Sequence, residues 1–82
     1  MKNLTLNEIA TICNEKLNLN VFEVIDNTLM NTTNRVEGND ISLTIEDGEY
    51  ISTSTGGTSY YGNSNGYVVA EDLIQAYNIY LS

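Results

Sequence analysis

The sequence predicts an α+β fold: a three-stranded antiparallel meander with an N-terminal and a C-terminal helix packed on one face. Three observations carry this expectation. A helix start signal, Thr5-x-x-Glu8, opens an apolar stripe at helical spacing. A run of alternating residues from Ile41 to Ser54 is interrupted by Asp47-Gly48, the pattern of a β-hairpin. A second apolar stripe at helical spacing runs from Val69 to Tyr80. At 82 residues and 9.1 kDa the chain is expected to form a single α+β domain over 1–82, near the lower size limit for one hydrophobic core.

The elements follow in order. Thr5 and Glu8 form a capping box, and Leu4 and Ile9 stand at the positions of a hydrophobic staple. Leu6, Ile9, Ala10, Cys13 and Leu17 then share one face, which predicts a helix over 6–18. Residues 21–30 are ambiguous. Asn20 and Glu23 fit a second cap, with Phe22, Ile25 and Leu29 on one helical face. The β-branched and aromatic content favours a strand instead, and the reading leans to a short helix. Residues 31–40 are polar and read as a loop.

In the hairpin, Ile41, Leu43 and Ile45 alternate with Ser42, Thr44 and Glu46. A two-residue Asp47-Gly48 loop would set Glu46 directly against Glu49 and put Ile51 on the face away from Leu43. A three-residue loop over Glu46-Asp47-Gly48, with a bulge at Gly48, avoids both and is the expected register. Gly56-Gly57 marks a second turn, and 58–61 a short third strand. A Gly/Asn/Ser connector over 62–66 leads to the last helix. There Val69, Leu73, Ala76, Tyr77 and Tyr80 share a face, with Ile74 and Leu81 beside them. Glu71 and Asp72 are expected in its first turn, where the helix dipole favours them.

Composition narrows the function classes. The chain has no His and one Cys, so it cannot build a zinc site of Cys and His ligands, nor a nucleophile activated by histidine. Acid-base work would rest on a carboxylate in a pocket, for which a chain of this size leaves little room; no enzyme is expected, and no cofactor. Cys13 lies on the apolar stripe and reads as a small buried hydrophobe. A lone cysteine excludes a disulfide scaffold, and the N-terminal segment reaches Glu8 without a long apolar run. An intracellular, cytoplasmic location is therefore expected, with no membrane span. The balance of 11 acidic against 3 basic residues gives a net charge of -8. Lys2, Lys16 and Arg35 are too few to bind a phosphate backbone, so neither nucleic acid nor an anionic membrane is an expected partner.

Four local patterns bear on chemistry. Asp40, Glu46, Asp47 and Glu49 cluster around the hairpin but lack the ligand spacing of a calcium loop, so no metal is expected. Gly56, Gly57, Gly62 and Gly66 lack the lysine of a phosphate loop and serve as turns. Residues 5–30 have a faint helix-turn-helix outline, yet its second helix would offer Glu23, Asp26 and Asn27 to DNA without a basic residue. Tyr60, Tyr61 and Tyr67, set among Ser, Gly and Asn, have the composition of a binding loop; covering the sheet edge or core explains one or two of them equally well.

The distributed acidity is the dominant feature. A small acidic surface can imitate the field of duplex DNA, which shows one negative charge per roughly 1.7 Å of axis. In size and composition over the whole chain, the protein resembles the small acidic anti-defence inhibitors of phages and mobile elements, of the anti-CRISPR and DNA-mimic anti-restriction type. That resemblance implies an inhibitor that occupies a basic nucleic-acid groove of a larger defence enzyme, a CRISPR effector or a restriction enzyme. The expected contact surface is Asp40, Glu46, Asp47 and Glu49 with Tyr60 and Tyr61. The competing reading is a structural or adaptor module of a phage or bacterial assembly, with more apolar contacts and self-association left open.

Overall fold

The computed structural model describes residues 3–32, 40–54 and 57–81. The architecture is α+β in two layers: helix α1 (Leu6–Leu17), strands β1 (Phe22–Ile25), β2 (Thr28–Asn31), β3 (Ser42–Glu46), β4 (Glu49–Ser54) and β5 (Gly57–Gly62), and helix α2 (Gly66–Tyr80). The strands form one antiparallel sheet in sequential order, β1-β2-β3-β4-β5. The sheet thus has five strands where the sequence reading expected three.

Helix α1 follows its start signal. The Thr5 hydroxyl accepts the Glu8 N–H at 3.1 Å, and the Glu8 carboxylate accepts the Thr5 N–H at 2.9 Å. Both staple residues, Leu4 and Ile9, are buried. The helix ends at Leu17, with Asn18 in the left-handed region at φ 54°. Helix α2 begins at Gly66, capped by the Asn65 side chain, which accepts the Tyr67 N–H at 2.9 Å. Glu71 and Asp72 therefore fall beyond its first turn, and the expected dipole contact is not made.

Residues 21–30 correct the helical expectation. Asp26 and Asn27 both have positive φ, 51° and 59°, so they form a two-residue primed turn that joins β1 to β2. Period-two burial then sends Phe22, Leu29 and Asn31 into the core and leaves Ile25 exposed, whereas a helix would have buried Ile25 beside Phe22 and Leu29. Asn14 of α1 stabilises this arrangement. Its side-chain oxygen accepts the N–H groups of Val21 and Phe22 at 3.1 and 3.0 Å, and its nitrogen donates to the Phe22 carbonyl at 2.9 Å. A single amide thus serves the outward backbone of Phe22 as a further strand would. The helix-turn-helix outline is excluded with the helix.

The β3–β4 register also differs from expectation. The loop is the two-residue Asp47-Gly48, at φ 52° and 78°, and Glu46 does pair with Glu49. Magnitudes explain the choice. Both glutamates are exposed, and two charges about 5.5 Å apart in water repel by about 0.8 kcal/mol before screening. In return, Tyr50 rather than Ile51 faces the helices, and burial of a large side chain contributes about 1.5–3 kcal/mol. The Tyr50 hydroxyl accepts the Leu4 N–H at 2.9 Å and donates to the Leu4 carbonyl at 2.7 Å, so it ties the lead-in of α1 to the sheet.

The core lies between the sheet and the two helices, with Ile9, Cys13, Leu29, Ile41, Leu43, Val69 and Leu73 nearly or wholly buried. Helix α1 packs on β1, β2 and β3 and against α2. Helix α2 crosses the same face: its Tyr77 meets Phe22 of β1 edge-on at 6.2 Å, and its Asp72 bonds Tyr61 of β5. Asn31 is fully buried and closes the β2–β3 pairing by accepting the Ile41 N–H at 2.9 Å. Most of the expected 31–40 loop and part of the Gly56-Gly57 turn lie outside the described residues. Among the described residues, no helix is long and apolar enough to cross a membrane.

Candidate partner-binding surface

Antiparallel order places alternate turns at the same end of a meander. The β1–β2 turn (Asp26, Asn27) and the β3–β4 turn (Asp47, Gly48) therefore share one end of the sheet. The start of α1 joins them there, because one groove is lined by Thr5, Leu6, Asn7, Val24, Asn27 and Ile45. This end carries Glu8, Asp26, Glu46, Asp47 and Glu49, all exposed. Among the described residues the one basic side chain is Lys16, in the last turn of α1, 3.5 Å from Glu71. Lys16 thus lies away from the β1–β2 and β3–β4 turns, whose carboxylates Asp26, Glu46, Asp47 and Glu49 are exposed to solvent.

The carboxylates stand on short, well-defined supports. Both turns are two-residue loops closed by strand pairs, and the Glu46 carboxylate also accepts the Thr44 hydroxyl at 3.2 Å. No three Asp, Glu or Cys side chains among the described residues converge as a metal would require. Such a surface offers a negative field and hydrogen-bond acceptors, the complement of Lys and Arg side chains.

The structure divides the sequence-predicted surface. Glu46, Asp47 and Glu49 lie together at the acidic end. Asp40 precedes β3 and sits at the opposite end, roughly 20 Å away along a strand of that length. Tyr60 is 77% exposed on the sheet face away from the helices, paired with Ile51 and on the same face as Glu49. Tyr61 turns the other way, where the β4–β5 register shifts. It packs against the core and bonds Asp72 and Ser59; burial first, then the Asp72 charge, pushes its hydroxyl above the ordinary tyrosine range. Tyr67 is exposed in the first turn of α2, beside a groove formed with Leu4, Glu8, Ile12 and Glu15. The sequence reading did not assign Glu8 and Asp26 to this surface. The signal for Asp26 was an Asp-Asn pair between two alternating runs, a turn that accepts two left-handed residues.

Among the described residues, neither helix packs on the outer sheet face. It presents Ile25, Met30, Thr44, Ile51, Thr53, Thr58 and Tyr60, with Glu23, Glu46 and Glu49 around them. Fold and surface define a two-layer α+β protein with one acidic end and one sheet face that neither helix covers. No protein-family model matches the chain, and neither a curated protein nor a solved structure matches it.

Proposed function

We propose that this protein is a stoichiometric inhibitor that occupies a basic nucleic-acid-binding groove of a larger enzyme, of the kind found among CRISPR effectors and restriction enzymes. The supporting observation is the gathering of Asp26, Glu46, Asp47 and Glu49, all exposed, on two adjacent hairpin turns at one end of the molecule. Carboxylates on closed hairpin tips stand in for phosphates. Their positions are set before binding, so little ordering entropy opposes association. The inhibitor works by exclusion: while it occupies the groove, DNA or RNA cannot. The action needs no catalytic residue and no cofactor.

The test is capture from bacterial lysate with the full chain as bait, elution by a salt gradient, and identification of what elutes. A nucleic-acid-binding enzyme released at moderate salt, and displaced by added duplex DNA, is the expected result, because screening weakens charge-steered contacts. The double reversal E46K/E49K should abolish capture. Retention of the same partner by that variant, or recovery only of proteins that resist high salt, would overturn the reading in favour of an apolar assembly contact.

A further inference from the structure

The two edges of the sheet are treated differently. At β1 the Asn14 amide occupies the backbone of Phe22, and α1 packs alongside. At β5, residues Gly57, Thr58, Ser59 and Tyr60 are all exposed, and neither helix covers them. Exposed edges in monomeric proteins are commonly guarded by a charge or a proline. The strand Gly57–Gly62 has neither.

Its backbone orientation follows from the register. Glu46 and Glu49 close a two-residue loop and are a hydrogen-bonded pair, so alternate residues of β4, Ser52 and Ser54, turn their backbone groups to β5. Their partners Ser59 and Gly57 turn back toward β4. Thr58 and Tyr60 consequently direct N–H and C=O outward from the sheet.

We propose that the protein forms a two-fold dimer by antiparallel pairing of β5 with β5 of a second copy, centred on Ser59. In that register Thr58 of each copy faces Tyr60 of the other, and each exchanges both backbone bonds with its counterpart. Ser59 meets its equivalent as the non-hydrogen-bonded pair on the axis. The Thr–Tyr pairs lie on the outer sheet face, and such cross-strand contacts are favourable. Charge placement selects a second copy in this orientation. The strand itself is neutral, so two chains of net charge -8 approach where the repulsion is least. Gly62 lies at the acidic end and Gly57 at the other, so antiparallel pairing sends the two acidic ends in opposite directions. They stand roughly 20 Å apart along the strands, more than twice the Debye length of about 8 Å. The product is one continuous sheet with an acidic cluster at each end.

Sedimentation velocity of the full chain across the micromolar range tests this. The expected mass is twice 9.1 kDa, and Tyr60→Pro, which removes an outward N–H but no bond to β4, should halve it while circular dichroism stays unchanged. Cross-linking reads the register independently. Cα atoms of a non-hydrogen-bonded pair are about 4.5 Å apart, within disulfide reach, and the native Cys13 is buried. Ser59→Cys should therefore form a covalent dimer under mild oxidation, and the exposed Thr53→Cys should not. A 9.1 kDa species at every concentration, or Ser59→Cys oxidising no faster than Thr53→Cys, overturns the proposal. A folded Tyr60→Pro variant that remains a dimer does so too. If that variant unfolds, the cross-linking comparison decides.

Discussion

Tyr50 shows how one residue sets a register. Its ring fills the core, and its hydroxyl satisfies both backbone groups of buried Leu4, 46 positions earlier in the chain. Tyr50→Phe keeps the ring and strands that N–H and C=O. We expect a loss of about 1–3 kcal/mol in urea unfolding, the usual cost of unsatisfied buried groups. Cys13 tests the interior differently. Burial, reinforced by the Glu71 charge, pushes its thiol from 9.0 up to about 12. A raised folded-state value means that its contribution to stability is complete below pH 9. Above pH 9 the unfolded chain releases the proton while the folded chain keeps it, so stability falls as pH rises toward about 12. Urea midpoints measured from pH 8 upward should decline, and less steeply in Cys13→Ala. The native thiol should resist alkylation that the unfolded thiol accepts.

At the scale of elements, β1 and α2 each depend on one close fit. Strand β1 is short and lies at an edge, and the outward backbone groups at its start, on Val21 and Phe22, are bonded by Asn14. Asn14→Ala removes those bonds together. The expected loss is about 1–3 kcal/mol, with hydrogen exchange accelerating first at Val21 and Phe22. The entry of α2 is constrained by Gly66, where an added Cβ would stand 2.7 Å from Leu4 Cβ. Leu4 cannot swing away, because Tyr50 holds its backbone. Gly66→Ala should therefore destabilise by about 1–3 kcal/mol, as overpacked cores do, despite alanine's better helix propensity. Thermal unfolding of this variant beside Tyr50→Phe checks whether the two act on the same joint.

Across the whole molecule, charge is separated from packing. The core side of the sheet is neutral and tightly filled, while five carboxylates collect at one end and the one described cation sits near the other end of α1. Changing that end should leave the fold intact. E46K/E49K, which spares Asp47 in its left-handed turn position, is expected to unfold within about 0.5 kcal/mol of the parent, the usual range for exposed sites, while losing the proposed salt-sensitive partner. A large drop in its thermal midpoint would mean that the acidic end has a folding role.

Both helices were legible in the sequence because their signals are local: a capping box, a staple and apolar residues at helical spacing lie within a few positions of one another. The β3–β4 hairpin was legible for the same reason, as was the excess of negative charge. Three features were decided only by the tertiary structure. The first is the hairpin at 22–31, since Phe22, Ile25 and Leu29 suit a helix as well as a strand until Asn14 and the β3 edge supply backbone partners. The second is the β3–β4 register, where a local like-charge penalty is outweighed by burial of Tyr50 against Leu4. The third is which predicted surface residues stand together: sheet order joins Glu46, Asp47 and Glu49 to Asp26 and Glu8, sends Asp40 to the far end, and turns Tyr61 inward while Tyr60 stays exposed. Local signals depend on contacts within one turn of chain. Register and surface depend on what the rest of the fold brings alongside.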